Sequence, residues 1–89
     1  MAGHQFSYTT LDLFFEDLQK NEPKKGDTFR HFRTGNLYKV LEVGLNEDSM
    51  EAVVIYSPVD HPAHVWMRTI KNFMEPIAIG VNRFTKVPS

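Results

Sequence analysis

TFRHFRTGNLYKVLEVGL, residues 28–45, alternates with a two-residue period on either side of a Thr34-Gly35-Asn36 break. Alternation of this kind is the pattern of half-buried strands, and Gly with Asn accepts the positive φ of a tight turn. Two strands follow, 28–33 and 37–45. The second is the clearest: Leu37, Lys39, Leu41, Val43 and Leu45 share one face, and Tyr38, Val40, Glu42 and Gly44 the other. Downstream, polar Asn46-Glu47-Asp48-Ser49 reads as a hairpin connection, and the β-branched run 50–56 as the next strand. Ser57-Pro58 ends that strand, and a loop through Asp60-His61-Pro62 leads to a strand over 64–68. Residues 69–73 suit a single helical turn, and 74–79 and 81–87 are the last strands, divided at Gly80. Five to six short strands joined by tight turns predict a mostly β fold, a small SH3-like antiparallel barrel.

Upstream the period changes. Leu11, Phe14, Phe15 and Leu18 fall at i, i+3, i+4 and i+7, the stripe of an amphipathic helix over about 10–20. Thr9 or Thr10 suits its N-cap, Thr9 with Asp12 resembles a capping box, and Asn21 with Glu22-Pro23 stops it. So short a helix is not stable alone and must dock. Four such side chains contribute on the order of 6–10 kcal/mol when fully buried. The stripe therefore packs on its own barrel or on a partner, which leaves monomer and homodimer through the helix both open. Residues 1–8 show no period and read as partly disordered, although Phe6 and Tyr8 are able to pack. The expected organisation is an N-terminal extension, 1–22, and a barrel domain, 23–89.

The chain has 89 residues, no Cys, 42% hydrophobic and 24% charged residues, and a formal charge of −1. These values fit one globular domain with a single modest core. The missing Cys excludes disulfides, thiolate zinc sites and a thiol nucleophile. The charge balance is not that of a non-specific DNA binder. No apolar run approaches the ~20 residues of a membrane span, and no signal or transit peptide is visible, so a cytoplasmic location is the expectation.

The runs Gly26-Asp27-Thr28-Phe29-Arg30-His31-Phe32 and Gly35-Asn36-Leu37-Tyr38-Lys39-Val40-Leu41 are similar to the opening of a small, largely bacterial family, domain of unknown function 1653. The resemblance covers residues 26–84, with near-constant spacing between motifs. It matches Arg30, His31, Tyr38, Glu51, Tyr56, Trp66, Arg68, Phe73, Glu75, Arg83 and Phe84 to family positions. The chain departs from the family pattern at Asn46, where a His is usual, at Asp48-Ser49, where Glu-Thr is usual, and at Thr69, where Pro is usual. The loop 57–64 is also unlike the family's. The N-terminal helix is an addition to the pattern. The resemblance implies a fold and no activity.

Arg30, His31, Tyr38, Glu51, Tyr56, Trp66 and Arg68 are the candidate ligand-binding set. Trp and Tyr supply apolar walls, and Arg supplies a planar fork for a carboxylate or phosphate. The same residues equally satisfy a packing role, with the aromatics in the core and Arg68 paired to Glu51. Phe29, Tyr38, Tyr56 and Trp66 are enough for an aromatic cage around a methylated lysine. Asp60, His61 and His64 are weak metal candidates without an obvious fourth ligand, so no metal and no cofactor is expected. Lys20, Lys24, Lys25, Arg30 and Arg33 form a basic stretch broken by Glu22 and Asp27, which suits a solvated linker or a phosphate contact. No nucleophile elbow or phosphate loop is present. The sequence thus favours a non-catalytic binding module, whose partner is a protein or peptide, a small anionic ligand or a nucleic-acid segment. The competing class is a small enzyme or enzyme-accessory domain using His31 with a carboxylate.

Overall fold

The computed structural model describes residues 7–88. It is mostly β: a curled five-strand antiparallel half-barrel with an added N-terminal helix, the class the sequence predicts. Helix α1 spans Tyr8–Lys20. The strands are β1 (Thr28–His31), β2 (Leu37–Leu45), β3 (Ala52–Pro58), β4 (Trp66–Thr69), β5 (Pro76–Ala78), β6 (Val81–Asn82) and β7 (Phe84–Val87), with a one-turn helix α2 (Ile70–Phe73) after β4. The main sheet runs β4-β3-β2-β1-β7, and β5 and β6 form a separate hairpin. That hairpin turns at Gly80, whose φ of 75° is a conformation that a Cβ disfavours. β4 and β7 end the sheet without pairing to each other, which leaves the curl open on one side. The expected disorder of 1–6 and packing of Phe6 fall outside the described residues; Ser7 and Tyr8 are ordered by the start of α1, and Tyr8 is 82% exposed and does not pack.

β2 has the predicted limits but not the predicted faces. Val40 pairs with Tyr56 and Glu42 with Ile55, so Leu41 is an extra residue, a β-bulge. The bulge resets the alternation. Tyr38 and Val40 before it and Val43 and Leu45 after it all point to the concave side, and Leu41 is left 36% exposed. Strict alternation would have split this set between two faces. The core is correspondingly aromatic. Phe29, Val40, Val43, Val54, Tyr56, Phe73 and Phe84 form one buried cluster, with Leu18, Tyr38 and Ile70 packed against it. Phe73 is its centre: it stacks on Phe84 at 4.1 Å and meets Phe29 at 5.0 Å and Tyr56 at 5.2 Å edge-on.

The helix cap is Ser7, not Thr9 or Thr10. Ser7 is extended, and its side chain accepts from the Thr10 N–H at 3.2 Å. Capping by Ser7 starts the helix at Tyr8, two residues before the start that the apolar stripe suggests. The stripe divides. Leu11 is buried and Leu18 packs on the core cluster, while Phe14 and Phe15 are 46% and 38% exposed. Leu11 and Phe15 line a shallow depression with Leu45 and Met50, so α1 lies on its own sheet beside the end of β2. Among the described residues, no helix is long and apolar enough to cross a membrane.

Candidate functional site

The curl gathers one end of every strand in the main sheet around an open cavity of about 250 Å³. His31 comes from β1, Tyr38 from β2, Tyr56 from β3, Trp66 and Arg68 from β4, and Phe84 from β7. Register explains the convergence. Tyr56 opposes Trp66, and His31 opposes Phe84, so each pair projects to the same concave face. The floor is the top of the aromatic core, because Tyr38, Tyr56 and Phe84 meet edge-on at 5.7 Å. Trp66 forms a rim, 56% exposed.

Arg68 is held in place by two hydrogen bonds. Its Nε–H donates to the Tyr56 hydroxyl at 2.9 Å, and Nη1 donates to the Asn72 side-chain carbonyl. The guanidinium lies 5.8 Å from the Phe84 ring centroid. Asn72 is itself set by Thr69, whose hydroxyl accepts from the Asn72 N–H at 3.1 Å and caps α2. Nη2 has no partner among the described residues and leaves half of a planar fork unused.

His31 lies beside this charge. The Arg33 N–H donates to its Nδ1 at 3.2 Å, which places the neutral ring's proton on Nε2. Burial, then the charges of Arg68, Arg33 and Arg83, hold the imidazole below its ordinary value. A neutral His31 therefore offers an N–H donor in an electropositive setting. Among the described residues no carboxylate lines the cavity. Glu75, the nearest family-matched acid in sequence to Arg83, is engaged by Arg83 at 3.4 Å.

Five of the seven candidate residues thus line the cavity, and two do not. Arg30 pairs with Leu37 and Thr85 on the convex side and is exposed, because it is one residue out of phase with His31. Glu51 is exposed before β3, and its backbone carbonyl accepts from the Asn46 N–H at 2.9 Å. The expected Arg68–Glu51 ion pair is absent; Tyr56 and Asn72 hold Arg68 instead. Phe29 is 1% exposed and belongs to the core, which breaks the four-residue cage, and Arg68 opposes a cationic ligand. Asn46 serves its own turn: its side-chain carbonyl accepts from the Asp48 and Ser49 N–H groups at 2.9 and 3.2 Å. His61 and His64 stack at 5.4 Å, and His61 meets Asp60 at 3.1 Å. No group of three or more His, Cys, Asp or Glu among the described residues is arranged to hold a metal.

The basic stretch is not one patch. Lys25 approaches Glu42 at 3.6 Å, whereas Arg33 lies over the Phe32 ring at 5.5 Å, next to His31. Asn72 lies outside the candidate set, and its signal in the sequence is the Thr69-x-x-Asn72 spacing of an N-cap, four residues beyond Arg68 on a helical turn.

A family model described as "Protein of unknown function (DUF1653)" matches residues 27–86, about two thirds of the chain. No curated protein and no solved structure matches it.

Proposed function

The chain belongs to the DUF1653 family, and from that premise we propose that it is a non-catalytic binding module whose half-barrel cavity receives the anionic group of a ligand. The observation that carries this reading is the half-used Arg68 fork, fixed by Tyr56 and Asn72 and set among aromatic walls without a carboxylate. A guanidinium already oriented by two bonds loses little freedom on accepting an anion. A planar anion on Arg68 lies beside the His31 Nε2–H, and an attached apolar body covers Trp66. The alternative, an acid–base pair on His31, lacks its carboxylate in this geometry.

Trp66 is the chain's single tryptophan, so its fluorescence reports on the rim directly. Titration with citrate, benzoate and inorganic phosphate is expected to give a saturable change for at least one anion. Arg68→Gln, checked for folding by circular dichroism, is expected to abolish it. A response that persists in Arg68→Gln, or none with any anion, refutes the reading.

A further inference from the structure

The strand that carries Trp66 and Arg68 is also an end of the sheet. β4 pairs with β3 on one side and, among the described residues, with no strand on the other. Three consecutive large apolar side chains stand open there: Val65 at 58%, Trp66 at 56% and Met67 at 59%. Edges are ordinarily blunted by shortness, charged side chains, proline or a bulge. β4 is four residues long and its one charge, Arg68, points into the cavity, but residues 65–69 read Val-Trp-Met-Arg-Thr, with no Lys and no Pro, and the β3–β4 register is regular. Alternation gives this edge two different sides. Trp66 and Arg68 face the cavity, Met67 faces the opposite way, and exposed Val65 directly precedes the strand.

We propose that the free edge of β4 accepts an extended peptide as an added strand, and that this peptide alternates acidic with apolar residues. The proposal rests on the anion-binding reading of the cavity and names its ligand. A strand laid beside β4 sends every second side chain toward the concave face, where Arg68 and His31 lie and where no carboxylate among the described residues opposes an anion. Acidic residues are complementary there. The intervening side chains meet Val65 and Met67, and apolar residues are complementary to those. Backbone pairing with β4 supplies sequence-independent attachment, and the two sides of the edge set the pattern.

The test uses the full chain and the peptide acetyl-Glu-Val-Glu-Val-Glu-Val-Glu-amide, followed by calorimetry and Trp66 fluorescence. The acidic peptide is expected to bind and the Lys-for-Glu version not to. Two further peptides carry N-methyl groups on alternate amides, one in each phase. Only the phase whose N–H groups face β4 is expected to weaken, by on the order of tenfold or more, since each loses hydrogen bonds to the edge. Met67→Lys, at an exposed position, is expected to weaken binding without changing thermal stability. Equal binding of both N-methyl phases overturns strand addition. Citrate, benzoate or phosphate that binds through Arg68 while the peptide does not overturns this proposal and leaves the cavity reading standing; silence from the peptide and from all three anions overturns both. Tighter binding of oligothymidylate than of the peptide, or a dimer through β4 that excludes the peptide, also overturns it.

Discussion

A carboxylate placed at position 41 and one placed at position 43 separate the bulged from the regular reading of β2. Plain alternation from Leu37 to Leu45 would give Leu41 and Val43 the same face, whereas the bulge leaves Leu41 36% exposed and Val43 7% exposed. Val43→Asp loses about 1.5–3 kcal/mol of burial, and turning a carboxylate into the core adds at least about 1–2 more. The sum, about 3–5 kcal/mol, rivals the roughly 5–15 kcal/mol stability of a small domain. Leu41→Asp stays at the surface and is expected to cost less than about 1 kcal/mol. Urea unfolding followed by circular dichroism reads the outcome. With a slope of about 1 kcal/mol/M, the midpoint falls by about 3 M or more for Val43→Asp and by less than about 1 M for Leu41→Asp. Deleting Leu41 altogether leaves Tyr38, Val40, Val43 and Leu45 two apart in one regular ladder, so the core set keeps its face and the chain is expected to fold. Equal losses in Val43→Asp and Leu41→Asp would show that the bulge does not set the faces of β2.

Phe73→Ala removes a side chain with no exposed surface that touches three aromatic rings, and a loss of about 3–5 kcal/mol is expected in the same unfolding assay. Leu11→Ala is expected to cost about 2–3 kcal/mol and Leu13→Ala, 63% exposed, less than about 0.5, which tests that α1 docks on its own sheet. Because His31 titrates lower in the folded than in the unfolded chain, the unfolded chain binds more protons between the two values. Stability therefore rises with pH through that window and is lost as pH falls below about 6.5. His31→Gln is expected to flatten this slope in pH-dependent melting. Arg68→Met removes one of the charges that lower His31 and is expected to raise its titration midpoint in an NMR pH series.

Much of the fold is legible in the sequence where the signal is local. The limits of β2, the turn at Gly35 and the one-turn helix before the β5–β6 hairpin follow from alternation, from positive-φ residues and from Thr69 as a cap. The faces of β2 were hidden, because Leu41 is chemically an ordinary core residue and only the partner strand makes it an insertion. The same limit governs the site. Trp66 and Arg68, two apart on one strand, are recognisable as sharing a face, and His31 and Tyr38 join them through the first hairpin and the curl. Arg30 is one residue away from His31, and a count along a family motif does not reveal that this single step carries it to the convex side. Charge alone pairs Glu51 with Arg68, whereas Arg68 is held by Tyr56 and by Asn72, whose position depends on the cap.

The central claim is that an anion enters the half-barrel cavity and is held by Arg68. NMR spectra of the uniformly nitrogen-labelled chain, recorded through a citrate titration, test it most directly. The account predicts saturable shifts confined to the Trp66 indole N–H, the Arg68 Nε–H and the backbone of His31, Tyr38 and Phe84, all lost in Arg68→Gln. Shifts that do not saturate, or that centre on Lys24 and Lys25 in the depression beside Glu42, would contradict it.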